Sequence, residues 1–177
     1  VVITITGTDK PAIDSIEVGN LGVLDNDVVE GNSLIFNVTL SEETQTSVTY
    51  SFSLGGGTAS AIDYSQYTFS ADVAFNNTTS EIIVQAAFTT FTVTLPTVDD
   101  SEVESLELVP ISIGGVTVTG GIIDNDQPTI TTVEVGSTLT TDDNVIEGND
   151  LVFNVALSEA PITDATYSFS LGGGTAS

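Results

Sequence analysis

Residues 33–40 read SLIFNVTL and residues 48–54 read VTYSFSL. In the first stretch Leu34, Phe36, Val38 and Leu40 fall on one face, with Asn37 and Thr39 on the other. In the second, Val48, Tyr50, Phe52 and Leu54 oppose Thr49, Ser51 and Ser53. Successive side chains of an extended chain point to opposite faces, so this alternation marks strands with one buried face. The same period recurs at Thr89–Leu95, where Phe91, Val93 and Leu95 point inward between threonines. Further strands are expected at Ile13–Val18, Tyr67–Phe75, Glu81–Gln85, Leu106–Ile113 and Val116–Ile123. Pro110 marks an edge or a bulge, because it has no N–H for a ladder. Gly55-Gly56-Gly57, Asn76-Asn77 and Gly114-Gly115 read as turns. No stretch has a helical period. Many short strands between turn signals predict an all-β fold, an immunoglobulin-like antiparallel β-sandwich. The absence of Cys and Trp separates it from antibody-type domains.

The chain repeats itself. Pro11–Ser60 aligns without gaps with Pro128–Ser177, an offset of 117 residues. VVEGNSLIFNVTLSE returns as VIEGNDLVFNVALSE, and TYSFSLGGGTAS closes both copies. A period this long fits a whole domain rather than a solenoid unit. The expected organisation is a tandem array. Residues 1–10 are the last strand of a preceding β-domain, residues 11–127 a complete sandwich, and residues 128–177 the first strands of the next copy. The expectation is therefore a window on a longer polymer. An open apolar face on 128–177 would be covered by that polymer or by strand donation from another chain.

Composition excludes several functions. The chain has 25 Asp+Glu against one Lys+Arg, no His and no Cys, for a net charge of −24. Such a chain cannot neutralise a phosphate backbone or bind an anionic membrane. It has no ligands for zinc and no His or Cys for triad chemistry. Asp–Glu pairs could serve a glycosidase, but the Trp of a sugar platform is missing, and no enzyme is expected. Its hydrophobic fraction of 40% separates it from a disordered acidic tail. Self-repulsion among so many carboxylates calls for an offsetting cation, and carboxylates and carbonyls are the hard oxygen ligands that Ca²⁺ prefers.

The acids concentrate between strands. Glu30 opens EGN, Asp63 follows the triglycine loop in AIDY, DDSEVE spans 99–104, and IIDND ends the repeat with Asp124 and Asp126. In a sandwich alternate connections lie at one pole, so these groups should gather where the chain exits. Glu17, Glu81 and Glu107 are read instead as strand-face residues.

EGN, then GGGTASAIDY, then VDD with acids after it, then IIDND, resembles in order and spacing the Calx-beta domain. That module is known from sodium–calcium exchangers, integrins and large bacterial surface proteins. The resemblance implies a sandwich with Ca²⁺ at its exit pole, bound by Glu30, Asp63, Asp99 or Asp100, Glu102 or Glu104, Asp124 and Asp126. Glu102 and Glu104 depart from the family spacing, which leaves the choice between them open. The earlier boundary, ITGTDKP, lacks the DND pattern and resembles the end of a cadherin-like domain of RTX-type repeat adhesins. The functional expectation is a calcium-binding extender or shaft module of a secreted bacterial surface adhesin or filament, its partners being neighbouring copies of the same domain. The alternative is a glycan- or protein-binding module of the same kind of protein.

Overall fold

The computed structural model describes residues 9–22, 25–136 and 144–174. The reading of Val1–Lys10 as a strand falls almost wholly outside them. Among the described residues the chain forms twelve strands and no helix. It divides into two units, Val1–Asp100 with Ser105–Asn125, and Ser101–Glu104 with Asp126–Ser177.

The first unit is the expected all-β sandwich. Its strands are β1 (Ile13–Val18), β2 (Asp27–Val29), β3 (Ser33–Leu40), β4 (Val48–Leu54), β5 (Thr68–Phe69), β6 (Val73–Asn76), β7 (Glu81–Val84), β8 (Thr90–Pro96), β9 (Glu107–Ile113) and β10 (Val116–Ile123). One sheet has the order β1-β3-β8-β5 and the other β2-β10-β9-β4-β7-β6. Pairing is antiparallel except between β2 and β10, which run parallel with Ile122 opposite Val28. Leu34, Phe36 and Val38 lie opposite Leu95, Val93 and Phe91 across the β3–β8 ladder. They pack against Ile82, Val84, Val109, Ile111 and Ile113 of the second sheet in one buried core. Burying each such side chain is worth roughly 1.5–3 kcal/mol, so this layer carries the fold.

Two expectations need correction. Tyr67–Phe75 is not one strand, because a turn at 71–72, in which Val73 N–H donates to Ser70 O at 3.0 Å, carries the chain from one sheet to the other. The alternation survives the crossing because Tyr67, Phe69 and Phe75 all pack on Phe52, with ring centroids 5.1–5.4 Å from it. Pro110 lies on an inner strand without a register shift. Pairing of β9 with β4 stops at Leu54↔Ile111, and the Pro110 carbonyl accepts Gly55 N–H at 2.9 Å. The missing donor therefore faces the space just beyond the end of β4, where no ladder bond is lost.

The second unit contains β11 (Ile130–Val135) and β12 (Phe153–Leu157), paired antiparallel. It repeats the β1–β3 ladder at the offset of the sequence, down to the irregularity between Ile130 and Thr132 that mirrors the one between Ile13 and Ser15. Tyr50 Oη donates to Pro11 O at 2.7 Å, and Tyr167 Oη donates to Pro128 O in the same way. Ala12 N–H donates to Ser41 Oγ at 3.0 Å, and Thr129 N–H to Ser158 Oγ at 3.1 Å. Among the described residues no equivalent of β4 forms in this copy. Residues 166–174 carry the sequence of 49–57, yet they adopt no strand. The partners of β4 are β7 and β9, and nothing in 128–177 corresponds to either.

Candidate metal site

Four loops meet at one end of the first sandwich. The first follows β2. Glu30 N–H donates to Ile123 O at 3.0 Å, which ties this loop to the end of β10. Glu30 is 6% exposed, and its carboxylate Oε1 accepts Asn125 N–H at 3.1 Å. Gly31 has a φ of +77°, and a Cβ there would sit 3.0 Å from Asp99 Cβ. Only glycine combines that conformation with that approach. Asn32 O accepts both the N–H and the hydroxyl of Thr97, at 2.9 and 2.7 Å, and so fixes the second loop, after β8, against the first.

The third loop is held the same way. Asp63 is 5% exposed, and its carboxylate accepts Ser60 N–H. Its backbone carbonyl accepts Val98 N–H at 2.9 Å, immediately before Asp99. Ala59 N–H donates to Leu108 O at 3.2 Å, and Leu108 N–H donates to Thr58 Oγ1 at 2.7 Å. The triglycine loop thus sits on the start of β9. The fourth loop follows β10, where Asn125 Nδ2 donates to Asp99 Oδ1 at 3.0 Å.

Within this unit two carboxylate pairs approach closely. Glu30 and Asp100 offer oxygens within 4.8 Å of one another, and so do Asp63 and Glu107. The Asp99 carboxylate is bonded to Asn125, and Asp124 is half-buried beside Asn125. Glu102, Glu104 and Asp126 group with the second unit. Glu107 is the residue the sequence reading placed elsewhere. It shares the parity of Val109, Ile111 and Ile113, the buried positions of β9, so its side chain is on the inner face at the strand's acidic end.

The chemistry of these donors fits a hard divalent cation. They are oxygens, as the absence of His and Cys requires. Ca²⁺ takes oxygen ligands at about 2.3–2.6 Å, so two oxygens on one ion lie up to about 5 Å apart, as within each pair. Lys10 does not serve this pole. Its Nζ donates to Thr49 O and lies 4.2 Å from the Tyr50 ring centroid. Tyr50 borders the Gly114 turn, at the other end of β9 and β10.

No family model matches the chain, and no curated protein matches it. Solved structures of surface layer protein SbsC are similar at low TM-score. Its domains 4–9 are 18% identical, with 85% of this chain and 21% of that one covered, at a TM-score of 0.35. Its domains 5–6 are 16% identical, with 85% and 64% covered, at 0.35. Its domains 1–6 are 15% identical, with 89% and 23% covered, at 0.37. The chain thus spans less than two thirds of the length of these structures.

Proposed function

We propose that this chain is a calcium-binding structural module of Calx-beta kind, working as an extender or shaft segment of a secreted bacterial surface protein of the RTX adhesin type. The observation that carries the reading is the convergence of Glu30, Asp63, Asp99, Asp100 and Glu107 on one pole of the sandwich, in a chain whose net charge is −24. The ligands are drawn from those residues together with Glu102, Glu104, Asp124 and Asp126.

Two ionised carboxylates about 5 Å apart repel by roughly 3–4 kcal/mol at an effective dielectric of about 20. A bound divalent cation turns that cost into attraction and ties the β2–β3, β4–β5, β8–β9 and exit loops together. Because the exit loop leads into the next repeat, the same ion stiffens the junction between copies. Isothermal calorimetry of the full chain tests this. Calcium should bind saturably, and Asp63→Asn and Asp126→Asn should each weaken binding at least about tenfold, the effect of losing one charged ligand. Absence of heat and of any saturable change in the wild type would remove the reading.

A further inference from the structure

We propose that Asn76 is an N-glycan attachment site, the acceptor for a sugar carried on a diphosphate leaving group. This goes beyond the calcium reading and does not rest on it. Three stretches carry the Asn-x-Ser/Thr sequon that N-glycosyltransferases read: Asn37-Val38-Thr39, Asn76-Asn77-Thr78 and Asn77-Thr78-Thr79. The pattern is short and common, so the fold has to choose among them. Asn37 is half-buried on β3, an inner strand between β1 and β8. Its Nδ2 donates to Gly19 O at 2.8 Å. The second copy shows what this asparagine is kept for. Asn154, the counterpart of Asn37, donates to Gly136 O in the same way, yet its stretch reads Asn154-Val155-Ala156 and has no hydroxyl. The bond recurs and the sequon does not, so Asn37 is a loop tether beside a chance threonine.

Asn76 is placed differently. It ends β6, the edge strand of the six-stranded sheet, and lies opposite Glu81 across the β6–β7 hairpin. The hairpin is anchored from below. Phe75 packs on Phe52 with ring centroids 5.4 Å apart, and Ser80 O accepts Phe52 N–H at 3.0 Å. Above that anchor Asn76, Asn77, Thr78 and Thr79 are all exposed. Asn76 Oδ1 accepts Thr78 N–H at 3.0 Å, which holds the amide against the sequon's own hydroxyl residue. Its Nδ2, the atom a sugar would join, donates to no group among the described residues. No such bond joins Asn77 to Thr79 among the described residues, so of the two overlapping sequons the first is the preset one. In the transfer Asn76 Nδ2 forms a bond to the anomeric carbon, and the bond from that carbon to the phosphate oxygen breaks. The diphosphate leaves with the electron pair, and Nδ2 gives one proton to a base of the transferase. Nothing is oxidised or reduced. The co-reactant is a nucleoside diphosphate sugar or a lipid pyrophosphate sugar, which share that leaving group. A glycan here would cover the end of an edge strand, where unpaired backbone groups otherwise invite pairing with another chain.

The folded full chain is offered to sequon-reading N-glycosyltransferases in two arms. One uses a soluble enzyme with a nucleoside diphosphate hexose, the other a membrane enzyme with a lipid pyrophosphate oligosaccharide. Peptide mass mapping reads the modified residue. The expected result is a single glycan, on Asn76, in at least one arm, and the arm that works names the donor. Thr78→Ala removes the hydroxyl from the Asn76 sequon, spares that of Asn77, and keeps the backbone N–H that Asn76 Oδ1 accepts. It should cut modification at least about tenfold. Thr79→Ala destroys only the Asn77 sequon and should leave modification unchanged. Both substitutions lie in an exposed turn, so thermal melts should match the wild type and exclude misfolding as the cause. Modification in neither arm overturns the proposal. So does a glycan mapped to Asn37 or Asn77, or transfer that survives Thr78→Ala. None of these readouts depends on whether a metal binds.

Discussion

Glu107 and Glu81 open their strands with the same residue type, yet only Glu107 sits against the buried Asp63. The difference is position. Glu107 starts β9 at the pole where the loops converge, on the parity of the core, while Glu81 starts β7 opposite Ser51 and Asn76. Glu107→Gln should therefore weaken calcium binding by about tenfold, and Glu81→Gln should leave the isotherm unchanged. Equal effects would mean that bulk charge, not a site, is being measured. That the loops carrying Glu30, Asp63 and Asp99 are hydrogen-bonded to one another follows the alternation of connections that the sequence suggests. Glu107 was hidden because a glutamate next to Leu108 in a strand reads as a solvated face until its parity with Val109 is taken seriously. Tyr50 gives a second prediction at this scale. Burial pushes its phenol above the usual value of about 10, because the anion would lose its water. A group with a raised folded pKa contributes stability that is complete below the unfolded value and lost as pH climbs through the folded one. Denaturant titrations should show stability falling above about pH 10. Tyr50→Phe should shrink that fall while costing about 1 kcal/mol at neutral pH for the lost bond to Pro11 O.

At the scale of elements, one sequence with two outcomes separates local preference from context. TYSFSL is strand in β4 and has no strand structure at 166–171. Its alternation was sufficient to predict which face would be buried and insufficient to make the strand, since ladder bonds come from β7 and β9. Partner dependence also explains β2. Three residues, Asp27-Val28-Val29, carry no readable period, and they are a strand only because Gly121–Ile123 lies alongside. The break between β5 and β6 was invisible for the opposite reason, because one aromatic cluster on both sides kept the period intact. The same logic yields a paired prediction. Phe36→Ala removes a fully buried ring and should cost the first unit about 3–5 kcal/mol in denaturant unfolding. Phe153→Ala changes the identical residue in the open copy and should cost under about 1 kcal/mol in the chain by itself. Comparable losses would show that the face of 128–177 is already covered in solution.

At the scale of the whole molecule, a net charge of −24 with one lysine admits two ways of holding the fold together in a natural medium. Salt can screen the carboxylates diffusely, or a divalent cation can occupy the pole. The two differ in concentration dependence. Screening by NaCl becomes effective only as the Debye length falls to about 10 Å, near 0.1 M, and it acts on every exposed acid alike. Site binding saturates and stabilises by RT ln(1 + [L]/Kd), about 2.7 kcal/mol at a hundredfold excess over Kd. The full chain, freed of divalent ions by chelator and dialysed at fixed ionic strength of about 0.15 M, should therefore melt at a lower temperature than with calcium restored. The rise should saturate with calcium. Replacing the calcium by NaCl of equal ionic strength should not reproduce it. Magnesium should be the weaker substitute, because it demands near-ideal octahedral geometry and sheds water reluctantly, whereas the proposed ligands come from separate loops and would suit a larger, less exacting ion. If NaCl and calcium raised the melting temperature equally at matched ionic strength, the acidic pole would be a screened surface and not a site.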